Sequence, residues 1–147
     1  MLLVLLSACK SSETETPKPE DNNTFTNPVI NYSLPDPTTI KAKDGYFYLY
    51  ATEDIRNTQK KIHRSKDLVK WENVGTAFTD QSRPNFEPQG GLWAPDFNYI
   101  NNQYVLYYSM SDWGGEWTTG IGVAAADKPE EPFTDQGKLF RSNEIDV

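Results

Sequence analysis

The chain has 147 residues, a formal net charge of −7, one cysteine and one histidine. That charge excludes the basic face a nucleic acid would need, the single thiol excludes an intrachain disulfide, and the lone histidine cannot build a zinc site. What remains is a protein for a neutral or cationic ligand, with 13% aromatic residues and four tryptophans that suit either strand cores or stacking on a sugar ring.

Leu2-Leu3-Val4-Leu5-Leu6 is an apolar run far too short to span a bilayer. It ends in Leu6-Ser7-Ala8-Cys9, the small-residue-then-cysteine pattern of a bacterial lipoprotein signal. On this reading residues 1–9 are a signal segment and Cys9 carries the lipid. The protein is then exported and held at a bacterial membrane, at the cell surface or in the periplasm, by that anchor alone. The other reading is an ordinary secretory segment with a chance cysteine, and no Lys or Arg precedes the run. Lys10 to Thr24 is rich in Ser, Thr, Glu, Pro and Asn and has no large apolar residue, so 10–26 reads as a flexible linker.

From there to residue 147 the pattern is all-β: short strand-like runs between Gly, Pro, Asn and Asp, with no helical periodicity. The first four predicted strands are Thr38 to Lys43, Tyr46 to Thr52, Lys60 to Ser65 and Trp71 to Phe78, with Asp44-Gly45 turning the first pair. Thr79 to Gly91 is a loop carrying Pro and Gly. The next four strands are Phe97 to Ile100, Tyr104 to Ser109, Gly120 to Ala126 and Phe133 to Phe140, with Asn101-Asn102 as a turn and Lys128-Pro129-Glu130-Glu131-Pro132 as a rigid one. Trp71 ends a polar turn as an aromatic suited to packing between sheets.

The two groups of four are copies of one pattern. Pro35-Asp36 and Pro95-Asp96, sixty positions apart, each lead into a short strand, a polar turn and an aromatic strand. Ser65-Lys66-Asp67 before Trp71 matches Ala125-Ala126-Asp127 before Phe133 at the same offset. Repeats of this length made of short strands point to propeller blades. Equivalent positions would put Asp36 and Asp96 at one end of the central channel, facing one cavity. Two carboxyl groups across a cleft are what glycoside hydrolysis uses. The plainer reading makes each Asp a strand-entry turn residue beside proline.

Leu34-Pro35-Asp36-Pro37, Tyr48-Leu49-Tyr50-Ala51-Thr52, Ser65-Lys66-Asp67-Leu68-Val69-Lys70-Trp71, Leu92-Trp93-Ala94-Pro95-Asp96 and Thr119-Gly120-Ile121-Gly122-Val123-Ala124 together resemble glycoside hydrolase family 43, nearest the endo-1,5-α-L-arabinanases. The resemblance runs from Asn27 to the end. It implies a five-bladed β-propeller with about two blades in this chain. It also implies an inverting glycosidase of arabinan or related plant polysaccharides. Asp36 matches the general base, Trp93 the aromatic lining the sugar cleft, and Asp96 a nearby carboxylate that bonds substrate or fixes a loop. The family often has His before the base, where this chain has Pro35.

Trp113, between Asp112 and Gly114-Gly115, reads equally as a sugar platform and as a packed loop anchor. Glu116 lies between Trp113 and Trp117 but matches no catalytic position of the family, and solvent-facing loop charge is its better reading. Asp146 is followed by Val147, not by the proline that follows the family's acid-tuning Asp. The resemblance therefore places that residue, and the proton donor, beyond Val147, and the chain as it stands is expected to be inactive alone. No metal ligand set or cofactor motif is seen, and the resemblance leaves open a calcium ion in the channel of the complete propeller. Two other classes compete with the enzyme: a non-catalytic sugar-binding surface lipoprotein, and a structural propeller without ligand.

Overall fold

The computed structural model of the protein describes residues 24–53, 61–87, 90–111 and 119–141. The predicted signal segment with Cys9, most of the linker, the loop holding Trp113 and Glu116, and Asp146 lie outside them.

Among the described residues eight strands form two antiparallel four-stranded sheets, each in simple sequence order. The first contains β1 (Thr38–Lys41), β2 (Phe47–Tyr50), β3 (Lys61–Ser65) and β4 (Glu72–Thr76); the second contains β5 (Gly91–Ile100), β6 (Gln103–Ser111), β7 (Gly120–Ala126) and β8 (Thr134–Arg141). The two expected repeats are these two sheets. Their hairpins close differently. Asn101 and Asn102 both take positive φ, 50° and 66°, as a two-residue turn with the twist of the strands requires. In the first sheet Gly45 sits at φ 86° and its N–H donates to Ala42 at 3.0 Å. This longer turn ends β1 at Lys41, short of the expected Lys43.

One expectation fails at the fifth strand. Phe97 does not begin it: β5 starts at Gly91, because Leu92 and Trp93 pair with Met110 and Ser109. The Trp-Ala-Pro-Asp stretch is therefore inside a strand. Pro95, which has no N–H to offer the ladder, falls where the register shifts between Trp93 and Asp96.

Among the described residues one apolar cluster joins the sheets. It includes Tyr48, Tyr50 and Ile62 from the first and Leu92, Phe97, Leu106, Tyr108, Met110 and Phe133 from the second or its turns. In β6 and β7 alternate residues are buried, as the two-residue period of a strand dictates. In that stripe Gly122 has no room for a side chain, since a Cβ there would come within 2.3 Å of the Tyr108 ring. The ring lies over the glycine, and its hydroxyl donates to Asp135 at 2.7 Å. Burial beside that carboxylate pushes the Tyr108 phenol well above its usual range.

Phe133 meets Tyr50 and Phe97 edge-on, with centroids 5.8 and 5.9 Å away. Its near-complete burial contributes about 2 kcal/mol. The turn before it is fastened to the first sheet by the Tyr50 hydroxyl, which donates to the Pro129 carbonyl, and by Phe133 N–H to Ala77 C=O at 2.7 Å. Trp71, its counterpart in the repeat, does not join this core: it is half-exposed and its indole N–H donates to Leu68 C=O at 3.0 Å.

The strands β1 and β5 are the neighbours across the two sheets. Phe97 N–H donates to Thr38 Oγ1 at 3.4 Å, and Lys43 N–H to the Tyr104 hydroxyl at 3.3 Å. Contacts that climb together along both sheets mean that the two hairpins run in the same direction. The Pro-Asp entry of each therefore lies at the same end.

Candidate active site

Asp36 stands two residues before β1, between Pro35 and Pro37, at φ 50°. A following proline disfavours the right-handed helical region, and Asp is among the few residues that tolerate the left-handed one. Turn aspartates in this chain behave differently. Asp44 accepts the Tyr46 N–H two residues on at 3.0 Å, and Asp67 accepts Val69 and Lys70 N–H at 2.9 and 2.8 Å. Those backbone bonds to Asp67 hold its carboxyl below the usual carboxylate range. Asp36 makes no such local bond among the described residues. Its Oδ2 accepts from the Thr52 hydroxyl at 2.7 Å, sixteen residues away, and the side chain is exposed.

Trp93 and Asp96 are set by the bulge in β5. Under strict alternation residues three apart point to opposite faces. Here Trp93 pairs with Ser109 and Asp96 with Tyr107, and those two are neighbours on one face of β6. One extra residue on β5 thus turns Trp93 and Asp96 to the same face, while Leu92 and Phe97 both point into the core. Ala94 carries the distortion at φ 42°. Trp93 is half-exposed and its indole folds back on Gly91, where a Cβ would lie 2.3 Å from Nε1. Asp96 is exposed and accepts from the Asn98 side-chain amide at 3.0 Å.

The Thr52-Glu53 dipeptide brings these parts together, and sequence reasoning did not single it out as a site. Thr52 N–H donates to Pro35 C=O at 2.8 Å, and Thr52 Oγ1 accepts Ala94 N–H at 2.8 Å. Asp36 is thereby two hydrogen bonds from the backbone between Trp93 and Asp96. Glu53 points the other way, into the interior. Its Oε2 accepts Leu92 N–H at 3.0 Å and pairs with Arg83 at 2.8 Å, and Glu53 N–H donates to Leu92 C=O at 3.0 Å. The same Arg83 nitrogen donates to Gly90 C=O at 2.8 Å, just before the start of β5.

Trp113, the third residue expected to meet sugar, lies outside the described residues. His63 is buried on the other face of the first sheet, beside a groove of about 340 Å³ lined by Tyr32, Trp71 and Asn73 among others, none of them from the Asp36 cluster. Among the described residues no three His, Cys, Asp or Glu side chains come together.

The model for Glycosyl hydrolases family 43 matches residues 25–147. The chain belongs to glycosyl hydrolase family 43. Among family relatives, arabinan endo-1,5-alpha-L-arabinosidase C of Emericella nidulans is 36% identical over 105 residues, covering 69% of this chain and 31% of its own length. The solved native arabinanase of Bacillus subtilis superposes with a TM-score of 0.65 at 32% identity, over 76% of this chain and 40% of that one. The alpha-L-arabinanase of Cellvibrio cellulosa complexed with arabinohexaose gives 0.62 at 29% identity, over 76% and 36%. The chain spans about a third of the length of the curated relatives it matches.

Proposed function

We propose that the two sheets are blades of a five-bladed propeller and that the whole protein is an inverting glycosidase that hydrolyses arabinan, with Asp36 as general base. The observation that carries this is the setting of Asp36: one carboxylate oxygen is tied to Thr52, and no donor among the described residues reaches the other. A carboxylate so held can orient a water and take its proton as the oxygen attacks the anomeric carbon. Inversion needs room for that water between base and acid, about 6.5–9.5 Å from carboxyl to carboxyl. The acid belongs to blades beyond the two described. Trp93 offers a half-exposed ring to a furanose, and Asp96 on the same face accepts hydroxyl hydrogens. Similarity to arabinanases, one of them holding arabinohexaose, supports arabinan as the substrate.

The test is to digest linear 1,5-linked arabino-oligosaccharides and xylo-oligosaccharides with the full-length protein and follow the first product by proton NMR. Release of arabinose oligomers with inverted anomeric configuration agrees with the proposal. Retention, or cleavage of the xylan substrate alone, contradicts it. We further propose export with a lipid on Cys9, which Cys9→Ser should move out of the membrane fraction.

A further inference from the structure

We infer that Thr52 is a positioning residue for Asp36, with its hydroxyl proton committed to that carboxylate by the backbone of the neighbouring sheet. The inference rests on the reading of Asp36 as general base. A threonine hydroxyl has one hydrogen and can rotate it among acceptors. Here the choice is removed. Ala94 N–H points at Thr52 Oγ1 at 2.8 Å and can only donate, so the oxygen is an acceptor on that side. The hydrogen is left for Asp36 Oδ2, 2.7 Å away.

The surroundings fix the hydroxyl itself. Thr52 N–H is bonded to Pro35 C=O at 2.8 Å, which holds the residue beside the Pro-Asp-Pro entry. The next residue, Glu53, is locked to Leu92 through both its backbone and its side chain. Ala94 can aim its N–H out of the β5 ladder because it occupies the bulge at φ 42°. Asp36, also in the left-handed region at φ 50°, has no local bond among the described residues to hold its χ angles. Thr52 therefore sets which carboxylate oxygen is engaged and which is turned to the attacking water. The bulge, a distortion with a cost, acquires a purpose: it supplies the donor that orients the hydroxyl that orients the base.

The experiment uses the full-length protein on linear 1,5-linked arabino-oligosaccharide with four proteins: Thr52→Val, Thr52→Ser, Asp36→Asn and the Thr52→Val/Asp36→Asn double variant. Valine keeps the shape and removes the hydroxyl. We expect Thr52→Val to lower kcat by about ten- to a hundredfold, the scale for a misplaced reacting group, with KM changed by less than about threefold. Thr52→Ser should restore kcat to within about threefold of wild type, since it returns the donor. In the Asp36→Asn background, Thr52→Val should cost nothing further, because a residue acting through Asp36 has nothing left to position. Wild-type kcat in Thr52→Val, or a serine variant as slow as the valine one, overturns the inference while leaving Asp36 as base. Full activity in Asp36→Asn removes the base reading and the inference with it. Should valine prevent folding, Thr52→Ala against Thr52→Ser reads the same hydroxyl.

Discussion

The carboxylate of Glu53 and the guanidinium of Arg83 form an ion pair at 2.8 Å in which Glu53 keeps only 4% of its side-chain exposure. The pair is thirty residues apart in sequence, and Glu53 is the residue after Thr52. Taking a carboxylate out of water is costly unless its lone pairs are filled. Here Arg83 and Leu92 N–H fill them. Arg83→Ala leaves the buried charge without its partner and should destabilise the protein by on the order of 3 kcal/mol. Glu53→Gln, which keeps an acceptor for Leu92, should cost less. Urea unfolding of the two variants beside wild type measures both, and equal small losses would mean that the pair is solvated.

Gly122 offers a cleaner steric test. Gly122→Ala places a methyl within 2.3 Å of the Tyr108 ring, so the ring must move or β7 must shift. The expected loss is about 1–3 kcal/mol from overpacking. Thermal unfolding reads it, and pairing the change with Tyr108→Leu should recover part of the loss.

His63 makes stability depend on pH. Burial, with Lys61 nearby, holds its pKa below the ordinary 6.5. Its Nε2 meets the Tyr32 hydroxyl, and Nδ1 is buried without a partner among the described residues. A base whose folded pKa is depressed binds fewer protons folded than unfolded, so its contribution is full above the unfolded value and is lost as pH falls through the folded one. Wild type should lose stability on going from pH 7 to 5. His63→Phe should lose less over the same window, by denaturant titration at each pH.

How far the sequence exposes this molecule can be judged at particular residues. The two sheets are legible because Pro-Asp, a polar turn and an aromatic strand recur in the same order about sixty positions apart, and because alternate positions in Tyr104 to Met110 and in Gly120 to Ala126 are apolar or small. Asp36, Trp93 and Asp96 could be picked out by resemblance and neighbouring prolines. Their arrangement could not. Counting by twos puts Trp93 and Asp96 on opposite faces, and only the pairing with Ser109 and Tyr107 shows the extra residue that brings them together. Glu53 does not stand out in the sequence because glutamate is rarely buried, and its partner sits in a stretch with no periodicity. In the sequence Thr52 is the end of a strand; its hydroxyl matters only because Asp36 and Ala94, distant along the chain, meet it in space.

Trp93 should matter for binding more than for the fold, being half-exposed on the face it shares with Asp96. Trp93→Ala is expected to weaken the binding of arabino-oligosaccharide by on the order of 1 kcal/mol or more through lost stacking. Calorimetry with the full-length protein measures this directly. Unchanged affinity would make the indole a cover for Gly91 and nothing more.

The most direct measurement compares Asp36→Asn with wild type in the full-length protein, by turnover of linear 1,5-linked arabino-oligosaccharide and by calorimetric binding of the same sugar. The amide keeps the size of the carboxylate and its bond from Thr52 but cannot take a proton from water. Turnover should fall by about 10²–10⁴-fold, the usual share of a general base, while the dissociation constant changes by less than about threefold. Turnover within a few-fold of wild type, with binding intact, would contradict the assignment of Asp36 as the base.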